Sequence, residues 1–243
     1  MKIALIGYGK MGHEIEAAGL KRGHTFPLII DIDNQAELTP ENLRKADVAV
    51  DFSHPASAAG HMLLCFDAGV PVVTGTTGWN ALEKEMTEAC RKKEGALFYA
   101  SNYSVGVNIL FAVNRYLAEL MHGFGDYQVS IREVHHTQKL DAPSGTAISL
   151  AQQIIGKSGS LKGWKIAGSE GPGDIPVEAV REGEVTGDHT ITWDSPIDTL
   201  YIGHHAKSRK GFALGAVLAA EFLADKKGVF TMDDLMNLTL EKQ

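Results

Sequence analysis

The chain has 243 residues, 44% hydrophobic and 22% charged, enough for one large or two modest domains with a sizeable core. Its formal net charge of -7 excludes broad affinity for nucleic acid or an acidic membrane surface, so any anion site must be locally positive. No apolar run is long enough to cross a bilayer, no leader pattern precedes the first strand, and Cys65 and Cys90 lack any paired spacing, so the expected compartment is the cytoplasm.

Over the first part of the chain, short apolar segments alternate with helical ones. The strands are expected at Lys2–Ile6, Phe26–Ile30, Val48–Asp51, Val70–Thr74 and Leu97–Ala100, each nearly continuous in apolarity, as suits parallel strands covered on both faces. Between them, Met11–Arg22, Pro55–Ala68 and Trp79–Lys93 carry helical spacing, while Asn34–Lys45 reads as loop plus a short helix. This alternation predicts an α/β fold with a Rossmann-type doubly wound parallel sheet.

After Ala100 the rhythm changes. A helix is expected over Val105–Met121, ended by Gly123 and Gly125, then a strand over Tyr127–Val134 and a helix over Ser144–Ile155. Residues 156–176 read as a long loop, followed by strands at Val177–Val185, Thr190–Asp194 and Thr199–Ala206. This predicts an α+β unit with a mostly antiparallel sheet. Phe212–Ala224 and Met232–Leu238 read as closing helices.

Gly7-Tyr8-Gly9-Lys10-Met11-Gly12 follows the first strand and opens a helix with GxGxxG spacing. The first glycine makes the turn, the second lets backbone approach a pyrophosphate, and the third lets helix pack against strand. Asp31 ends the second strand about twenty residues on, where a carboxylate can bind the ribose hydroxyls and would repel a 2′-phosphate. NADH is therefore expected over NADPH, with Lys10 as a possible rescue for the latter. Gly75-Thr76-Thr77-Gly78 and Ala100-Ser101-Asn102-Tyr103 follow the fourth and fifth strands, where the carboxyl ends line the ligand crevice of such a sheet.

The segment from Glu133 to Thr146 gathers His135, His136, Lys139 and a helix start at Pro143 and Ser144. Imidazole can donate a proton near neutral pH, an ammonium suits a carboxylate, and the N–H groups of Gly145 and Thr146, with the Thr146 hydroxyl, can cradle one. These are the parts needed to hold a small dianion and protonate it. Adjacent side chains on a strand point to opposite faces, so His135 and His136 can share one substrate only if the strand ends there. No metal site is expected, because the second pair, His204 and His205, has no matching carboxylate or cysteine pattern.

These strings together resemble the dihydrodipicolinate reductase family almost end to end, including Asp51-Phe52-Ser53, His135–Ala147, Arg181–Gly183, Gly187–His189 and the stretch from His204 to Arg209. The resemblance implies reduction of 4-hydroxy-tetrahydrodipicolinate to tetrahydrodipicolinate in the diaminopimelate route to lysine. It implies that His135 is the proton donor, that Lys139 assists it as a cation, and that His136, Ser144, Gly145, Thr146 and Thr77 bind substrate. It also implies a dinucleotide domain at 1–103 completed by 211–243, a substrate and oligomerisation domain at 104–210, and a homotetramer; closure about hinges near Tyr103–Ser104 and Lys210–Gly211 is expected of a site between domains. The departures are a short loop before residue 180 and no basic residue after Asp31. An imine-reducing amino-acid dehydrogenase or an NADH-binding redox sensor would share the first glycine loop but has no reason to carry His135 with Lys139.

Overall fold

The computed structural model describes residues 1–237, which fall into two compact units, 1–105 with 209 onwards, and 106–208. In the first unit β1 (Lys2–Ile6), α1 (Lys10–Lys21), β2 (Thr25–Ile30), α2 (Pro40–Leu43), β3 (Val48–Asp51), α3 (Pro55–Ala68), β4 (Val72–Thr74), α4 (Glu83–Lys92) and β5 (Ala96–Tyr99) follow in turn. Two short 3-10 pieces kinked at Asn34 within Ile32–Glu37, and one turn at Asn80–Leu82, precede α2 and α4. With β11 (Gly228–Phe230), the described strands of this unit form one parallel sheet in the order β11-β5-β4-β3-β1-β2. The order reverses between β1 and β3, and ligands of open α/β sheets bind beyond the carboxyl ends of such strands. Two apolar layers hold the sheet: Met62, Cys65 and Leu97 belong to one, and Leu5, Phe98 and Ala216 to the other. α7 (Lys210–Leu223) supplies much of the second through Ala213, Ala216, Val217 and Ala220, small residues that let a helix approach closely. β11 (Gly228–Phe230) at the sheet edge was not expected; three half-buried residues carry no readable period. α8 spans Met232–Met236, and Leu238 of the expected helix lies outside the described residues.

In the second unit α5 (Val105–Met121) and α6 (Gly145–Ile155) pack on a sheet of β6 (Gln128–His135), β7 (Gly163–Ile166), β8 (Asp174–Arg181), β9 (Asp188–Asp194) and β10 (Thr199–His205), in the order β10-β9-β6-β8-β7. This corrects two expectations. Residues 156–176 are not all loop: they hold β7 and the start of β8, and β8 stops at Arg181 instead of Val185. β7 is a four-residue edge strand with no buried residue, so alternation never marks it. The sheet is also evenly mixed, with β6 antiparallel to β9 but parallel to β8, because α6 and β7 lie between β6 and β8 and carry the chain back.

The alternation of β6 places Val129, Ile131, Glu133 and His135 on one face. Val129 and Ile131 join Ile175, Val177, Ile191 and Trp193 in the core under α5 and α6. At the carboxyl end of β6 that buried face turns polar.

Candidate functional site

In the first unit the glycine loop has the shape expected of it. Gly7 has φ +92°, and a Cβ there would lie 2.3 Å from the Phe52 carbonyl oxygen; a Cβ on Gly12 would lie 2.4 Å from the Gly7 oxygen. A Cβ on Gly9 would meet nothing within 4 Å, so its backbone stays open on the side a pyrophosphate needs. Gly9 caps α1, and the N–H groups of Lys10, Met11 and Gly12 lie in the first turn, where a helix offers no internal acceptor. The cradle fits a dinucleotide. Tyr8 stands beside it, its hydroxyl bonded to Glu16 and its ring 3.9 Å from that of His13.

Asp31 is exposed, and Asn34 anchors it by accepting its N–H at 2.7 Å while donating to the Ile29 carbonyl at 2.9 Å. After β4, Gly75 lies against the Phe52 ring, where a Cβ would come within 2.2 Å. Thr76 turns inward: its hydroxyl donates to the buried Asp51 at 3.3 Å, and its carbonyl accepts from Trp79 at 2.7 Å. Thr77 is exposed. After β5, Ala100 packs against the core and Ser101 is exposed, while the Asn102 side chain accepts from the Ser104 N–H at 2.9 Å. The Tyr103 ring is buried, and its hydroxyl donates to the Thr74 carbonyl at 2.6 Å. Thr76 and Tyr103 thus shape the loops through their side chains.

In the second unit the polar end of the buried face gathers residues from β6, β8, β9 and the start of α6. Glu133 on β6 pairs in register with His189 on β9, and His135 with Arg181 on β8. Glu133 Oε2 touches His135 Nδ1, while Oε1 accepts from Arg181 Nη2 at 3.0 Å and from the Ser144 N–H at 3.1 Å. Burial alone would raise the Glu133 pKa, but the hydrogen bonds from His135, Arg181 and Ser144 outweigh it and hold the carboxyl at about 2. His189 lies with its ring 5.1 Å from that of His135, and burial together with the His135 charge pushes it down to about 4. Ser144 caps α6: its Oγ accepts from the Ala147 N–H at 3.2 Å and lies 3.1 Å from His189 Nε2. α6 buries Ala147, Leu150, Ala151 and Ile154 against the core, which fixes where its first turn sits.

β6 ends at His135, and the chain turns at once, with the Lys139 N–H donating to the His136 carbonyl at 3.1 Å. The alternation that would part the two imidazoles therefore stops between them. Lys139 Nζ pairs with Asp141 at 2.8 Å, and that ammonium outweighs burial to hold the Asp141 carboxyl below its usual range. Gly145 is exposed at the first turn of α6, and Thr146 follows it half-buried.

Comparison with known proteins gives this geometry a lineage. The profiles for "Dihydrodipicolinate reductase, N-terminus" and "Dihydrodipicolinate reductase, C-terminus" match residues 1–103 and 106–236. The chain belongs to the dihydrodipicolinate reductase family. It is 48% identical to a 4-hydroxy-tetrahydrodipicolinate reductase of Christiangramia forsetii, over 98% of both chains. It is 39% identical to one of Nitrosomonas eutropha, over 92% of this chain and 83% of the other. The solved structure of dipicolinate-bound dihydrodipicolinate reductase from Paenisporosarcina sp. TG-14 shares the fold with a TM-score of 0.76, at 23% identity, covering 96% of this chain and 98% of that one.

Sequence reasoning gave no role to Glu133, Arg181 or His189, although the strings that hold them carried the family resemblance. For Glu133 a signal existed: it lies two residues before His135 on a strand, hence on the same face. Arg181 and His189 meet it through strand pairing, which no local pattern reveals. Glu133, His135 and His189 bring potential metal-ligand atoms within 4.8 Å of one another. The Arg181 guanidinium lies beside the same carboxylate, 3.0 Å from its other oxygen. Ser144, expected to touch substrate, has its N–H and hydroxyl engaged inside the protein. His204 and His205 sit on β10, with His205 paired to Asp188 at 2.6 Å.

Proposed function

We propose that this protein is a 4-hydroxy-tetrahydrodipicolinate reductase acting in the diaminopimelate route to lysine. The observation that carries the reading, beside the family, is His135 set on a buried carboxylate in the same short segment as Lys139 and the first turn of α6. Conversion of the hydroxylated ring to tetrahydrodipicolinate takes up one hydride and one proton and releases one water. NAD(P)H supplies the hydride when bound. His135 gives the proton, and Lys139 offsets substrate charge with an ammonium rich in donors. His136, Thr77 and the first-turn N–H groups of Gly145 and Thr146 hold the two carboxylates. Ser144 supports them from below.

The first unit takes the dinucleotide, with its closing helices completing the fold, and the second takes the substrate. Gly7 to Gly12 holds the pyrophosphate, Asp31 the ribose, and the loops 75–77 and 100–103 the nicotinamide end. Asp31, anchored by Asn34, favours NADH over NADPH, because its charge opposes a 2′-phosphate. Exposed Ile197, Leu200 and Tyr201 around β10 support association of copies through the second unit, as a homotetramer. No helix among the described residues is long and apolar enough to cross a membrane, in keeping with a place in the cytoplasm.

The test is oxidation of NADH and of NADPH with freshly made product of dihydrodipicolinate synthase. His135→Ala and Lys139→Ala are each expected to lower kcat by about 10²-fold or more. Wild-type turnover in both variants would remove these roles.

A further inference from the structure

The buried polar end of the second unit's sheet does more than pack. We infer that Glu133, oriented by Arg181 and the Ser144 N–H, is a positioning residue that fixes the His135 ring with Nδ1 toward the carboxylate and makes Nε2 the atom that delivers the proton. This rests on the reading of His135 as proton donor.

The geometry assigns each atom a part. Glu133 is fully buried: Oε1 takes two donors, Arg181 Nη2 and Ser144 N, while Oε2 takes no other donor and lies in ion-pair contact with His135 Nδ1. A carboxylate accepts only, so the imidazole nitrogen against it must carry hydrogen. The His135 side chain is 10% exposed, yet Nδ1 is shut off from solvent. Nε2 borders the backbone of Gly187, where a Cβ would approach it to 3.0 Å and φ is +155°. Glycine at 187 therefore keeps that edge of the ring clear.

The groups facing this pair from the surrounding elements are few. Arg181 comes from β8, the α6 cap brings Ser144, the turn after β6 brings Asp141 with its partner Lys139, and β9 brings His189, on which Asp188 of β9 and His204 of β10 also act. His189 is held neutral at working pH by its burial, so it neither neutralises Glu133 nor adds a second cation.

In the step itself the Nε2–H bond breaks and its proton forms a C–H bond on the substrate ring. The electron pair of that N–H bond stays on Nε2. The imidazole is left neutral with its hydrogen on Nδ1, against Glu133, and solvent later returns a proton to Nε2.

A Glu133→Gln substitution separates positioning from packing. The Gln carbonyl must take the place of Oε1, because Arg181 and Ser144 offer only donors. Its amide NH2 then points at His135 Nδ1 and forces that nitrogen to accept. The neutral tautomer inverts, with hydrogen on Nε2, and the imidazolium loses its stabilising anion.

The experiment reads the side-chain 15N shifts of His135 in the full-length protein at alkaline pH, beside kcat and KM. In the wild type the neutral ring is expected to carry its hydrogen on Nδ1. In Glu133→Gln the tautomer inverts and kcat falls by about 10²-fold or more, while KM for the dicarboxylate stays within about threefold. Glu133→Asp keeps the charge and is expected to retain the Nδ1–H tautomer and recover part of kcat. A wild-type ring protonated on Nε2 overturns the inference without any variant, as does a folded Glu133→Gln enzyme with unchanged tautomer and kcat. His135→Ala at wild-type kcat would instead sink the assignment of the proton donor, so the two failures are told apart.

Discussion

Arg181 Nη2 lies 3.0 Å from Glu133 Oε1, a guanidinium from β8 held against a fully buried carboxylate of β6. The same nitrogen reaches the Asp141 carbonyl at 2.5 Å, tying the turn after Lys139 to the sheet. Arg181→Met leaves the carboxylate without its permanent cation. Breaking a buried pair from one side costs about 3 kcal/mol or more, and replacing both partners costs less. Urea unfolding should show Arg181→Met strongly destabilised and the Glu133→Leu/Arg181→Met double variant above it in stability. With Glu133→Leu alone completing the cycle, a double variant whose loss equals the sum of the two single losses would show that the pair is not coupled.

Acid should unfold the second unit in two overlapping steps. His189 is depressed by burial from 6.5 to about 4, so between these values the unfolded chain binds the proton that the folded chain refuses. Stability rises with pH through that window and is lost on descent, by on the order of 3 kcal/mol. Glu133 is held at about 2 against an ordinary 4.5, because its hydrogen bonds outweigh burial; its contribution is full above 4.5 and vanishes as pH falls towards 2. Urea midpoints of the full chain measured from pH 7 to 3 should fall throughout. His189→Gln should flatten the upper part of that curve, and a parallel curve would exclude His189 as its source.

Much of this was open to reading from residue order alone, and the reasons differ by element. β1, β3, α3 and α5 carry long apolar patterns or clear caps, and their expected spans agree with the structure. β7 and β11 are edge strands of four and three residues with none fully buried, which leaves no period to detect. His135 and Lys139 stand out by type, and they share one local segment. The support beneath them does not: Arg181 and His189 lie far along the chain and reach Glu133 only once β6 is paired on both sides. The inward turn of the Thr76 and Tyr103 side chains was equally hidden, since a hydroxyl in a loop reads as a ligand contact until its partner, Asp51 or the Thr74 carbonyl, is seen.

The three glycines of the first loop should separate folding from cofactor binding. A Cβ at Gly7 or Gly12 would meet backbone oxygen at 2.3 or 2.4 Å, and Gly7 also has φ +92°. Gly7→Ala and Gly12→Ala are each expected to cost about 1–3 kcal/mol. Gly9→Ala has open space in the protein and an allowed backbone, so its stability should change by less than about 1 kcal/mol. Its methyl would stand where the pyrophosphate approaches, and KM for NADH should rise by about tenfold or more, a loss of about 1.4 kcal/mol. Thermal melts beside cofactor titrations decide it. Gly9→Ala with unchanged KM would remove the loop's open side from the binding site.

Cofactor choice should turn on Asp31 and its anchor. The carboxylate is exposed, so its opposition to a 2′-phosphate a few ångströms away is screened to about 1 kcal/mol, with more where the bound cofactor excludes water. Asp31→Ser should therefore raise kcat/KM for NADPH relative to NADH by about tenfold. Asn34 holds the Asp31 N–H at 2.7 Å and grips the Ile29 carbonyl, so Asn34→Ala loosens the backbone that carries the Asp31 carboxylate without removing its charge. That variant should weaken NADH several-fold and leave NADPH nearly where it was, because a mobile carboxylate loses its ribose bonds but still repels a phosphate. A ratio unmoved by Asp31→Ser would place the discrimination elsewhere in the loop, with Lys10 next in line.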